Sequence, residues 1–214
     1  MIIADTVNKQ IYELIRSMIL ERKLKPGQRI DPKAIAEENN VSLMPVRNAL
    51  QQLTAQGLVV TQQRVGIFVR KFTKDELLQI SDARKMFELY CLDRHFDKIN
   101  KQEALHLAQR LEKLESSQYK AMRIIDDNLH SMIIDASQNP FLIKQYSDMQ
   151  SLFRLCIYTE EDDADSAKEE HLCLLDAICQ GDRRRALREL ERHLDRVARE
   201  IATDSFSHWD TLSK

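Results

Sequence analysis

Glycine and proline are scarce in this chain, with four of each among 214 residues. A sheet-rich fold needs many tight turns, and tight turns draw on these two residues. Their scarcity points to long helices with few breaks. It also makes each glycine a marker, so Gly27, Gly57, Gly66 and Gly181 are expected at turns or helix ends. The length allows one large domain or two small ones. No run approaches the ~18 apolar residues of a membrane span. The N-terminus MIIADTVNKQ has no basic segment followed by an apolar core, so it does not read as a signal peptide. A cytoplasmic protein without membrane contact is expected. Cys91, Cys156, Cys173 and Cys179 form no CxxC pair and lie among apolar residues, which reads as buried free thiols.

Charge is unevenly spread. Residues 1–72 carry 11 Lys+Arg against 6 Asp+Glu, and residues 73–214 carry 21 against 28. A basic head on an acidic body suits a nucleic-acid-binding segment joined to one that does not bind nucleic acid. The chain is accordingly divided into two domains, 1–72 and 73–214.

In the head, Val7, Ile11, Leu14, Ile15, Met18 and Ile19 recur at helical spacing, predicting a helix over 5–22. Pro26-Gly27 breaks it. Asp31 then caps a short helix with Pro32 at its first position. Asn39 and Asn40 tolerate left-handed backbone and make a tight turn. Ser42 is expected to cap a third helix that Gly57 ends. Short helix, tight turn and capped helix make the helix-turn-helix plan. On the third helix Val46, Ala49, Leu50 and Leu53 form an apolar stripe, while Met44, Arg47, Asn48, Gln51 and Gln52 lie largely opposite. Arginine suits guanine edges or phosphates, and Asn and Gln suit adenine. An ordinary surface helix would show the same two faces. The segment after Gly57 favours a DNA-reading helix. Two β-like runs, 58–61 and 67–70, flank the polar loop Gln62–Gly66, which reads as the hairpin wing of a winged helix. Arg64 at its tip suits a phosphate or minor-groove contact.

The segment LKPGQRIDPKAIAEENNVSLMPVRNALQQLTAQGLV, followed by RVGIFV, resembles the DNA-binding domain of GntR-type bacterial regulators over about residues 7–70. That resemblance implies DNA contacts at Lys33, Ser42, Arg47 and Gly66. Leu43 and Met44 stand where the family pattern usually has Arg and Thr, and Asn48 stands for its usual Glu. The operator is therefore not inferred from relatives.

Residues 73–214 show no convincing strand. Thr73 and Glu76 form a capping-box pattern. Helices are expected at about 73–97, 101–117, 119–137, 140–158, 166–180 and 183–203, making an all-α antiparallel bundle. The acidic run Glu160–Asp165 reads as a solvated loop. Asp126 and His130 are four apart, on one helix face, and at that spacing can share a metal ion. A surface Asp–His pair is the commoner meaning of such spacing. His171 and His193 are each flanked by apolar positions and so face the interior. A core histidine satisfied by a hydrogen bond explains one such residue more easily than three beside an aspartate.

This region resembles the FCD ligand-binding domain of the FadR subfamily of GntR regulators, through DDNLHSMIIDASQNPFL and EEHLCLLDAICQGDRRRALRELERHL. DARKMFELYCL resembles the segment that opens that domain, with Asp82 in place of a Glu. The resemblance implies a metal held by Asp126, His130, His171 and His193. Such a ligand set suits zinc, nickel, manganese or iron, with zinc the first expectation. Open metal positions could take a small organic acid effector. Arg84 and Arg154 are candidates for its far end, or else ordinary salt-bridge residues. The expected function is a mainly helical, homodimeric DNA-binding transcriptional repressor, controlled by that effector and bound to double-stranded operator DNA. Two alternatives remain: a metal-dependent hydrolase, and a regulator whose metal is purely structural.

Overall fold

A computed structural model describes residues 2–156 and 164–203. Residues 160–163 of the acidic run lie outside the described residues. The chain forms two compact units. The first holds the residues up to Thr73 together with the end of a later helix from Ser151, and the second holds the rest.

In the first unit the helices are α1 (Ile2–Leu20), α2 (Pro32–Glu38) and α3 (Leu43–Ala55). Asp31 Oδ1 accepts from the Lys33 amide at 2.8 Å and starts α2, with Pro32 in its first turn. Between α2 and α3 it is Asn40 that takes the left-handed backbone, at φ 53°, while Asn39 stays at φ −102°. Ser42 stands at the cap position of α3, but its side chain makes no capping bond. That corrects the expected cap: the serine supplies extended backbone, and its hydroxyl is left exposed. The apolar stripe of α3, with Val46, Leu50 and Leu53, packs against Ile11, Ile15 and Ile19 of α1.

The expected hairpin is present as β2 (Val59–Gln62) and β3 (Gly66–Val69). A third strand, β1 (Arg29–Ile30), pairs with the other side of β3, so the sheet order is β1-β3-β2, all antiparallel. Two residues are too few to show any alternation in a sequence. At the tip Arg64 has φ 62° and Gly66 has φ 153°. A Cβ on Gly66 would lie 2.9 Å from Arg29 Nε. Gly66→Ala is expected to cost on the order of 1–3 kcal/mol, mostly backbone strain, read from urea unfolding of the full chain. Gly27→Ala is the reference, because it shares the positive φ but has nothing within 4 Å of the added atom.

Among its described residues the second unit has helices and no strand. It is built from α4 (Lys74–His95), α5 (Lys101–Glu112), α6 (Tyr119–Asp135), the first part of α7 (Pro140–Cys156), α8 (Ala164–Gln180) and α9 (Arg183–Ala202). Asn100 and Asp182 cap α5 and α9 through their side chains. Helix α4 lies against α6 and α9, α8 against α5 and α9, and α6 against α5 and α8. Leu92, Leu111, Ile125, Leu129, Ile133 and Leu174 belong to the continuous apolar core. Cys91, Cys173 and Cys179 are free thiols, and Cys91 alone of these three is fully buried.

Candidate metal centre and nucleic-acid face

Helix α6 buries Ile125, Leu129 and Ile133. The residues between them on the same face, Asp126 and His130, are carried inward with that stripe. His171 arrives from α8 between buried leucines, and His193 from α9 beside buried Leu190 and Leu194. One ligand atom from each of these four residues lies within 4.8 Å of every other. Asp126 Oδ1 is 3.3 Å from His130 Nε2 and 3.1 Å from His171 Nε2. His171 Nε2 is 3.3 Å from His193 Nε2. The three imidazoles are buried, whereas 30% of the Asp126 side chain reaches solvent. His130 Nε2 is a buried polar atom with no hydrogen-bond partner. Such an atom is costly to bury unless something coordinates it. Three imidazole nitrogens and one carboxylate oxygen aimed at one point fit a divalent ion of the first transition row.

Two further carboxylates set the rings. Glu88 of α4 is fully buried, and His130 Nδ1 donates to its Oε2 at 2.6 Å. Its Oε1 accepts from Arg84 Nε and from the Tyr146 hydroxyl, both at 2.6 Å. His193 Nδ1 donates to Glu170 Oε2 at 2.9 Å, and Arg196 Nε donates to the same oxygen. Each carboxylate accepts a hydrogen bond from Nδ1–H, which keeps the proton on that nitrogen and turns Nε2 of the neutral ring toward the centre as the donor atom. Burial works against a charged Glu88, but Arg84 and His130 outweigh it and bring its pKa to about 2. Burial also opposes the Glu170 charge, and bonds from His193 and Arg196 bring that group to about 2. Burial and the neighbouring His171 push His193 down to about 3, so its ring is neutral and able to coordinate near pH 7. His130 behaves oppositely. Burial disfavours its charge, yet Glu88 and Asp126 lift it above its ordinary value. The centre thus favours a positive charge at His130, which a proton or a metal ion can supply.

Glu88→Gln is expected to weaken metal binding about 10–100-fold, measured by competition with a chromogenic chelator. Tyr146→Phe removes one bond to the same carboxylate and should have the smaller effect.

The other group of sequence-read residues lies on the first unit. Met44, Arg47, Asn48 and Gln51 follow one another at i, i+3, i+4 and i+7 along α3. Met44, Arg47 and Gln51 are exposed and Asn48 is half-buried. Helix α3 carries no acidic residue. Lys33 is exposed on α2, and Arg64 is exposed at the wing tip two residues from Gly66.

This arrangement coincides with known proteins along nearly the whole chain. The family model for bacterial regulatory proteins of the gntR family matches residues 7–69, and the FCD domain model matches residues 79–196. The chain belongs to the GntR family, with an FCD domain. It is therefore a DNA-binding transcriptional regulator. It is 23% identical over 202 residues to the HTH-type transcriptional repressor RspR of Escherichia coli K12, covering 91% of this chain and 89% of that one. A solved GntR transcriptional regulator from Rhodococcus sp. RHA1 superimposes with a TM-score of 0.80 at 18% identity, covering 92% and 97% of the two chains. The Zn2+-bound FCD domain of TM0439 superimposes with a TM-score of 0.56 at 25% identity, covering 64% of this chain and 99% of that one. The hydrolase alternative is set aside, because the matched relatives are transcriptional regulators. Among the described residues, no helix is long and apolar enough to cross a membrane.

In this regulator the two arginines read as effector candidates are placed differently. Arg84 is buried one turn before Glu88, and its Nε donates to that carboxylate. Arg154 is in the last turn of α7, in the stretch that groups with the first unit. Sequence reasoning missed Glu88, Tyr146, Glu170 and Arg196. Glu170 directly precedes His171, and Glu88 follows Arg84 by four residues. Both spacings were visible, but they look like ordinary surface charge on a helix.

Proposed function

We propose that this regulator is a dimeric, cytoplasmic repressor whose operator affinity is set by a small organic acid at a divalent metal, zinc before nickel, manganese or iron. Asp126, His130, His171 and His193 are the residues that would hold the ion. The observation carrying this reading is the convergence of those four residues around a buried His130 Nε2 that makes no hydrogen bond, although Asp126 Oδ1 lies 3.3 Å away. A related FCD domain described as Zn2+-bound supports the choice of zinc, and a relative named as a repressor supports the direction of control. When bound, the ion supplies Lewis acidity and free coordination positions for a carboxylate. The solvent-reaching edge of Asp126 is the side from which an effector approaches. An effector acts only through unequal affinity for the DNA-competent and incompetent forms.

On DNA, α3 is placed in the major groove, presenting Met44, Arg47, Asn48 and Gln51. Lys33, Ser42, Arg64 and Gly66 serve the backbone. Two chains per operator follow from paired recognition helices on half-sites. The test uses duplexes selected from a random pool by the full-length protein, with metal content measured on the same sample. The expected result is two chains per duplex, and release by a panel of small carboxylic acids only when metal is present. One chain per duplex overturns the dimer. Release that ignores metal and survives His171→Ala overturns the sensor. Burial of the three imidazoles also suits a metal that is purely structural. In that case chelation unfolds the second unit, and no acid alters DNA binding.

A further inference from the structure

We infer that Met44 is a specificity-determining residue that reads the 5-methyl group of a thymine. The inference rests on the placement of α3 in the major groove. An exposed methionine is unremarkable by itself, since single apolar residues are common on protein surfaces. This one heads a stripe whose other members, Arg47, Asn48 and Gln51, are all hydrogen-bonding side chains. Met44 is 66% exposed, while Leu43 before it is half-buried and Pro45 after it is buried. It is therefore the side chain that the first turn of α3 presents outward. The first residues of a recognition helix are those that reach base edges. A thioether offers no donor and only a weak acceptor, so it cannot select among the amino, carbonyl and ring-nitrogen groups that Arg, Asn and Gln distinguish. The major groove carries one apolar mark, the thymine 5-methyl. An unbranched, polarisable side chain can settle against it without fixed geometry. Met44 thus adds apolar readout at one end of a stripe that otherwise reads by hydrogen bonds.

The experiment uses the full-length protein, with and without Zn2+, and a duplex recovered by selection from a random pool. Each thymine is replaced in turn by uracil, which lacks only the methyl group. At one thymine of a half-site the replacement should weaken binding about fourfold, the factor for one buried methyl. In Met44→Ala the thymine and uracil duplexes should bind equally at that position. The inference is overturned if every uracil duplex matches its thymine parent with the unaltered protein, or if Met44→Ala keeps the difference. The underlying groove placement fails separately. It is overturned if Arg47→Ala and Gln51→Ala retain full affinity for the selected duplex, or if the pool does not enrich.

Discussion

His193→Ala should abolish tight metal binding while leaving the protein folded. The expected loss is about 100-fold or more, because disturbing even a residue behind a ligand costs 10–100-fold. The reasons lie in the geometry. His193 Nε2 is 3.3 Å from His171 Nε2, and its other nitrogen is fixed by Glu170. Alanine removes a donor that is held neutral, with a pKa of about 3, and so is able to coordinate near pH 7. It also leaves Glu170 with Arg196 as its remaining partner, which keeps that carboxylate satisfied. Chelator competition reads the affinity and far-UV circular dichroism reads the fold. Unchanged affinity in the variant would remove His193 from the ligand set. Loss of helicity with loss of metal would favour the purely structural role.

The second large effect is in the core. Leu92→Ala is expected to destabilise the protein by about 2–5 kcal/mol, the range for a buried leucine cut to alanine. Leu92 has no exposed surface and lies in the same apolar cluster as Leu129 and Ile133, which flank the metal-facing side of α6. A cavity there removes the packing behind α4, the helix that supplies Glu88. The midpoint of thermal unfolding should fall by roughly 2–4 °C for each kcal/mol in a chain of this size. Met86→Ala on the same helix, at an exposed position, should stay within about 0.5 kcal/mol. Equal effects of the two substitutions would mean that the helix is packed on a different face.

The legible parts of the molecule were those with a strong local signature. Asp31-Pro32 announces α2 through a cap and a fixed φ, and the structure shows both. The scarcity of glycine was informative because all four glycines sit at positive φ. The grouping of Asp126, His130, His171 and His193 was legible in part, because inward histidines are rare among the apolar positions of α6, α8 and α9, and the full set of candidate ligands came from the family resemblance. Other features had no local signal. Strand β1 exists only because β3 offers it a partner. Ser42 has the right residue type for a cap, yet the hydroxyl is not used. Helix α4 was the most misleading element. Its buried positions run Leu77, Ser81, Arg84, Glu88, Cys91 and Leu92, so the middle of the inward stripe is polar. Hydrophobic period gives Glu88 no inward place, and it leaves Arg84 as either an effector contact or a salt-bridge residue. The structure puts them inside, where each neutralises the other and Glu88 orients His130.

Three buried imidazoles inside an apolar core make melting temperature a report on occupancy. Any ion bound only by the folded form stabilises it by about 2.7 kcal/mol at a hundredfold excess over its dissociation constant. In a chain of this length that is a rise of several degrees. An acid that completes the coordination adds its own increment. The proposed ion and the proposed acid can therefore be sought by thermal scanning in a plate, without an operator sequence or a reporter gene.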